Sequence, residues 1–251
     1  MARQKGIVKL EGTIGDITFY KSQDGYLARE KGGVDADRIA NDAAFQRTRE
    51  NGNEFGSAAN AGKVLRTALR ALLQNASDSR MVSRLTQKMV EVIQADATSV
   101  RGQRNVIDGE AELLEGFEFN INGKLGTTLY APYTATIDRA AGALTVNLAS
   151  FIPANMIAVP GGTTHFKIVS AGAEVDFENE TSISDSKESD VLPWDSTATA
   201  IINLANAVTA NSTHPLFLAL GIEFFQEVNG VQYSLKNGSF NPLAIVKVSG
   251  V

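Results

Sequence analysis

The sequence contains no cysteine, so neither disulfide bonds nor thiolate chemistry are available to the chain. Histidine is also scarce: His165 and His214 lie far apart, and neither belongs to a recognisable catalytic or metal-binding motif. Gly-x-Ser-x-Gly, the Walker-type phosphate loop and His-Glu-x-x-His are all missing. These absences predict a protein that is not an enzyme and that has no catalytic residues.

Long apolar runs are missing too. No run approaches the roughly 18–20 residues that a membrane-spanning helix needs. The basic start of the chain is not followed by the apolar core of about 7–15 residues that a signal peptide has. We therefore expect synthesis in the cytoplasm, no signal peptide and no membrane insertion, with later release as part of an assembly left open.

Charge is abundant but unevenly distributed. Residues 1–105 carry 17 Lys and Arg against 12 Asp and Glu, whereas residues 106–251 carry six against 16. A basic half and an acidic half give each copy a surface that attracts the opposite half of a second copy. The asymmetry favours head-to-tail self-assembly, and the alternative is a monomer with two solvated charged faces.

Residues 1–41 predict a β-arm and a linker. Residues 6–12 have an extended pattern, and residues 16–21 and 26–30 flank an Asp-Gly pair that favours a hairpin turn. Such a hairpin is only marginally stable by itself. It must therefore dock either on its own C-terminal domain or on a neighbouring subunit.

Residues 42–116 have helical spacing. Asp42 is a suitable N-cap for a helix that starts at Ala43, and Gly52 and Gly56 are expected to weaken or break this helix. Apolar stripes over residues 61–73 and 82–93, separated by a polar turn, predict a helical hairpin.

Residues 117–251 return to a period of two, with Asn-Gly turn signals at Asn122, Asn229 and Asn237. The predicted strands cover 127–137, 143–148, 165–169, 217–228, 231–235 and 243–248. Residues 197–208 fit a helix and a strand equally well. The fold class is therefore predicted as α+β, a C-terminal antiparallel β-sandwich with an N-terminal β-hairpin arm and a helical hairpin.

Residues 174–180 alternate acidic and other residues. A strand would place four carboxylates on one face, those of Glu174, Asp176, Glu178 and Glu180. Calcium is one conceivable partner, since Asp185, Glu188, Asp190 and Asp195 follow, although the spacing of known calcium loops is absent. A basic surface of another subunit and a solvated edge strand are the two alternatives. No other cofactor is expected.

The helical region is rich in basic residues, namely Arg47, Arg49, Lys63, Arg66, Arg70, Arg80, Arg84 and Lys88. These side chains could neutralise phosphates, but the region lacks the aromatic stacking platform of single-strand binders and the whole chain is acidic. Pairing with Asp and Glu of a neighbouring copy suits arginine better. We therefore expect copies of the protein itself, rather than nucleic acid or a small-molecule substrate, as partners.

The N-terminal segment resembles a group of bacterial and phage-associated proteins. The resemblance rests on residues 12–21 (GTIGDITFYK), residues 25–29 (GYLAR) and residues 44–51 (AFQRTREN). Proteins of this group begin with a β-hairpin of Gly-x-x-Gly, an aromatic residue, Gly and Arg, followed by a polar, Arg-rich helix. The resemblance covers about residues 6–70, implies a virion-like or filament-like structural component and brings no catalytic residues.

Together these patterns predict a self-assembling structural subunit of a filament, tube or phage-like particle. Its arm would add to a sheet of the next subunit, and its basic helices would meet the acidic sandwich. The alternatives are a nucleic-acid-associated protein and a ligand-binding β-sandwich. The predicted subunit interface consists of Ile7, Val8, Leu10, Ile17, Phe19, Tyr20, Tyr26, Arg29, Arg66, Arg70, Arg84, Glu174, Asp176 and Glu178.

Overall fold

Glycine-containing turns fold the start of the chain into a small antiparallel sheet. The computed structural model describes residues 1–30 and 32–250, and its first four strands are β1 (Ala2–Arg3), β2 (Gly12–Ile14), β3 (Ile17–Ser22) and β4 (Gly25–Glu30). They pair in the order β1-β4-β3-β2. The predicted Asp-Gly hairpin is confirmed, because Ser22 pairs with Gly25 and Gly25 adopts a φ of 102°, which suits glycine.

A short helix, α1 (Ala36–Asn41), follows within the predicted linker. Two aspartates serve as N-caps in this segment. The Asp35 carboxylate accepts a hydrogen bond from the Asp37 amide, and the Asp42 carboxylate accepts one from the Ala44 amide. The predicted cap at Asp42 is therefore confirmed.

The remaining helices are α2 (Gln46–Ala68), α3 (Arg70–Leu73), α4 (Met81–Gln94), α5 (Leu125–Thr128) and α6 (Pro153–Met156). The expected break in α2 is wrong. Gly52 and Gly56 both lie inside the continuous helix and are exposed, while Ala58 on its other side is buried. At Gly62, α2 contacts α4 closely, since a Cβ at that position would lie 3.6 Å from Cγ of Leu85.

The later strands are β5 (Tyr133–Asp138), β6 (Ala143–Leu148), β7 (His165–Asp176), β8 (Thr181–Glu188), β9 (Leu192–Pro193), β10 (Ile202–Ala207), β11 (Leu216–Val228), β12 (Val231–Ser234) and β13 (Leu243–Ser249). They form two antiparallel sheets. Residues 197–208, which fitted either element, contain the strand β10.

The larger sheet is built around β7 and β11, which pair from Leu216 opposite Glu174 to Phe225 opposite His165. On its outer side β11 pairs with β13 and then with β12, while β7 pairs with β8 and β9. The smaller sheet has the order β10-β6-β5. The predicted α+β class with antiparallel sheets is confirmed.

The larger sheet is buried on both faces, and this produces three layers. Val169, Ala171, Ala173 and Val175 of β7 pack with the apolar side chains of α2 and α4. Phe166 and Ile168 of the same strand pack with β6 and β10 of the smaller sheet.

Because α2 and α4 share a core with the larger sheet, the second compact unit spans Glu50–Val251 and the first spans Met1–Arg49. The division into 1–41, 42–116 and 117–251 stays a prediction. In the described residues, no helix has the length and apolar character needed to cross a membrane.

Candidate functional site

The described residues of the first unit form no buried core. Among its described residues, 1–30 and 32–49, every side chain is exposed or half-buried. Several of the exposed side chains are large and apolar: Ile7 is fully exposed, Val8 is 76% exposed and Ile14 is 64% exposed. A small sheet that buries no side chain gains little hydrophobic stabilisation of its own. The unit therefore presents apolar surface that a second protein could cover.

Residues 6–11 form a loop, so the extended strand predicted over 6–12 is wrong except at Gly12. The Gln4 side chain holds this loop. Its amide nitrogen donates to the Leu10 carbonyl (3.2 Å) and the Leu27 carbonyl (3.0 Å), and its amide oxygen accepts from the Leu10 amide (2.8 Å). The apolar side chains of Ile7 and Val8 are left on the outside of the loop.

The other predicted interface residues of the arm lie on the hairpin. Ile17, Phe19 and Tyr20 are on β3, and Tyr26 and Arg29 are on β4. The Arg29 guanidinium stands 5.6 Å from the centre of the Tyr20 ring.

Ile17 and Arg29 also line a shallow cavity of about 540 Å³, together with Met1, Ala2, Asp16, Ala28 and Glu30. The structure therefore brings part of the predicted set together on one small sheet. A cavity with both apolar and charged walls suits a protein side chain better than a metal ion.

Arg84 is held inside its own unit and is not a free interface residue. Its guanidinium donates to the carbonyl oxygens of Glu118 (2.6 Å) and Phe119 (3.2 Å) and pairs with the Asp78 carboxylate. It also lies 5.3 Å from the centre of the Phe117 ring. Arg84 therefore links α4 to residues 117–119 and has a structural role.

Asp78 is ionised in this arrangement. Burial is the largest single influence and opposes ionisation, but hydrogen bonds from the Ile121 and Arg80 amides and from Arg84 outweigh it. The pKa of Asp78 therefore lies below its ordinary value of 3.8.

The basic residues Lys63, Arg66 and Arg70 lie together along a groove of about 290 Å³. Thr67, Leu73, Gln74 and Met81 complete its lining, so every charged residue in the groove is basic. Lys63 and Arg70 are exposed, and Arg66 is half-buried with its Nε donating to the Gly62 carbonyl (3.2 Å). The groove suits carboxylates or phosphates of a partner.

The acidic stretch does not form the predicted four-carboxylate face. Strand β7 ends at Asp176, and residues 177–180 make the turn into β8. Asp176 holds this turn, because its carboxylate accepts hydrogen bonds from the amides of Glu178 (3.0 Å) and Asn179 (2.9 Å). Glu178 is exposed in the turn.

Glu174 is buried, and it holds a neighbouring loop. Its carboxylate accepts from the Ser212 hydroxyl (2.7 Å) and the Thr209 amide (3.1 Å). Burial is again the largest influence and raises the pKa of Glu174, but these hydrogen bonds outweigh it and the pKa is lowered. The described residues contain no cluster of three or more His, Cys, Asp or Glu side chains placed to hold a metal ion.

The two histidines are held at opposite ends of β7. His165 begins this strand, and its Nδ1 lies 3.0 Å from the Thr164 hydroxyl. His214 lies 3.8 Å from Asp176, the last residue of β7. Twelve residues of strand span about 35 Å, so the two imidazoles do not share a site.

Strand β8 is a feature that the sequence prediction missed. Among the described residues it pairs only with β7, so it forms an edge of the larger sheet. All of its residues except Asp185 are exposed. Its sequence, TSISDSKE, carries a single large apolar residue, Ile183, and therefore lacks the alternation of a half-buried strand.

The comparisons offer no relative from which a role could be transferred. Neither the protein-family models, nor the curated proteins, nor the solved structures include a match to this chain.

Proposed function

We propose that the protein is a structural subunit that assembles with copies of itself into a filament, tube or phage-like particle. The observation that carries the proposal is the first unit, whose described residues bury no side chain while Ile7, Val8 and Ile14 stand exposed. Covering such side chains is worth about 1.5–3 kcal/mol each when burial is complete. Contact with a neighbouring copy would supply that cover.

The distribution of charge supports a head-to-tail contact. The charged residues of the groove are all basic, namely Lys63, Arg66 and Arg70, whereas residues 106–251 carry 16 acidic residues against six basic ones. A contact between two different patches leaves one of each patch free on the assembled pair, so that further copies add in the same way. Such growth produces a ring or an open filament.

Association should depend on salt, because part of the contact is ionic. The Debye length falls from about 10 Å at 0.1 M ionic strength to about 3 Å at 1 M. We expect the weight-average mass from static light scattering to rise with protein concentration, and to rise less in high salt.

The decisive variant is the double substitution Ile7→Ser, Val8→Ser, with Ile201→Ser as its control. Ile201 is 69% exposed in the second unit and matches the chemistry of the change. We expect the double variant to need at least about a tenfold higher concentration to associate, since 1.4 kcal/mol corresponds to tenfold in an equilibrium constant. The control should associate like the parent.

A parent protein that stays monomeric at every concentration and ionic strength would refute self-assembly. Equal association by the double variant and the parent would show that the arm is not the contact surface.

The basic groove also favours a second candidate, binding of a single-stranded nucleic acid. That function predicts oligonucleotide binding, measured by fluorescence anisotropy, which weakens in an Arg66→Gln, Arg70→Gln variant. Self-assembly predicts that the same variant loses association while the parent shows no oligonucleotide binding at physiological salt.

A further inference from the structure

The edge formed by β8 is the longest open strand edge of the larger sheet. β8 has eight residues, whereas β12, at the opposite side of the sheet, has four. In an antiparallel ladder every second residue directs its N–H and C=O away from its partner strand. β8 therefore offers backbone donors and acceptors to an additional strand. At Asp185 the strand also contacts β10, because the Asp185 carboxylate accepts a hydrogen bond from the Ala207 amide (2.9 Å).

The side of β13 that faces away from β11 is already covered. The Gly116 amide donates to the Ile245 carbonyl (2.8 Å), and the Phe119 amide donates to the Leu243 carbonyl (2.8 Å). This contrast leaves β8 and β12 as the places where the larger sheet can be extended.

The first unit also has an open edge, that of β2. In the described residues β2 pairs only with β3. Thr13 lies opposite Thr18 with the two hydroxyl oxygens 3.3 Å apart, as expected of a pair whose backbones do not hydrogen-bond to each other. The N–H and C=O of Thr13 therefore point towards the open side, next to the exposed side chain of Ile14.

Charge distinguishes β8 from β12 as the acceptor. Residues 1–16, which contain β2, carry three basic residues (Arg3, Lys5 and Lys9) against two acidic ones (Glu11 and Asp16). Residues 178–190, which contain β8, are strongly acidic, whereas β12 (VQYS) is uncharged. Opposite charges favour the β8 edge and help to set the register of an added strand.

We infer that β2 of one copy adds to the open edge of β8 of a second copy, so that the sheet of the first unit continues the larger sheet of its neighbour. This inference rests on the proposed self-assembly and specifies where the contact forms. Each copy carries both β2 and β8, so no other partner is required. Backbone hydrogen bonds would supply affinity, and the charges would supply direction.

The cysteine-free chain allows a direct test by disulfide trapping. One copy carries Thr13→Cys and a mass tag. The other carries a single cysteine at Ser182, Ile183 or Ser184 on β8, or at Ser234 on β12 as the matched edge control. Mixed copies are oxidised mildly, and the tagged heterodimer is quantified on a non-reducing gel.

We expect heterodimers to form about tenfold faster with β8 cysteines than with Ser234→Cys, because pairing holds the two Cβ atoms within disulfide range. The yield should also alternate along Ser182, Ile183 and Ser184, since successive side chains of a strand point to opposite faces.

Three outcomes would overturn the inference while leaving self-assembly intact: preferential trapping at Ser234, equal trapping at every position, or a disulfide within one monomer of a Thr13→Cys, Ser184→Cys double variant. Absence of association by light scattering in the same samples would instead refute the proposed function itself. The two failures are thus distinguishable.

Discussion

Some charged residues of this chain form hydrogen bonds inside the second unit, whereas others lie exposed on the surface. The degree of burial distinguishes the two groups. Arg84 and Glu174 look in sequence like the other members of the basic and acidic sets, yet the hydrogen-bond partners of both lie within the second unit. The carbonyl groups that accept hydrogen bonds from Arg84 belong to Glu118 and Phe119, 34 and 35 residues away. A contact over that distance cannot be predicted from a local sequence pattern. The sequence could therefore predict the sign of these surfaces but not which charges remain free.

The substitution Arg84→Met tests this distinction at the residue scale. It leaves the Asp78 carboxylate, which is mostly buried, without its cation, so we expect a loss of about 3 kcal/mol in the free energy of unfolding from urea denaturation. Arg70→Met is the control, since Arg70 is exposed and should change stability by less than about 0.5 kcal/mol. Equal effects of the two substitutions would contradict the structural role of Arg84.

At the scale of the elements, most strands could be predicted from the sequence, but the packing of the helices on the larger sheet could not. Helical and two-residue periodicities identified α2, α4 and the strands β6, β7, β11 and β13, because each of these elements has buried residues. The third layer escaped prediction, because the apolar stripes of α2 and α4 do not specify what they pack against. β8 escaped because an edge strand exposed along most of its length needs no apolar face.

Close packing between the two sheets gives a prediction at this scale. A Cβ at Gly172 of β7 would lie 2.9 Å from Cβ of Asn206 and 3.2 Å from Cβ of Leu144. We expect Gly172→Ala to lower the free energy of unfolding by about 1–3 kcal/mol through overpacking. Gly126→Ala, where an added Cβ meets nothing within 4 Å, should leave the urea midpoint unchanged or raise it. A neutral Gly172→Ala variant would show that the sheets can move apart freely.

At the scale of the whole molecule, the two units have contrasting interiors. The second unit contains two apolar cores, while the described part of the first unit contains none. The sequence indicated a separate N-terminal segment through its hairpin pattern and the linker predicted before residue 42. It could not show the loop at residues 6–11, whose course depends on the Gln4 side chain.

Deleting residues 1–31 tests whether this segment is needed for self-association but not for the stability of the second unit. We expect the truncated chain to keep a cooperative thermal transition by circular dichroism, because both cores lie in Glu50–Val251. Association by light scattering should be lost. Unfolding or aggregation of the truncated chain would instead mean that the arm is required by its own second unit.

The core shared by the helices and the larger sheet has a consequence for the order of folding during synthesis. Helices α2 and α4 leave the ribosome long before β11 and β13, the strands that cover their apolar stripes. Contacts between residues so distant in sequence form slowly. The apolar stripes of α2 and α4 therefore stay exposed during synthesis until β11 and β13 have been made.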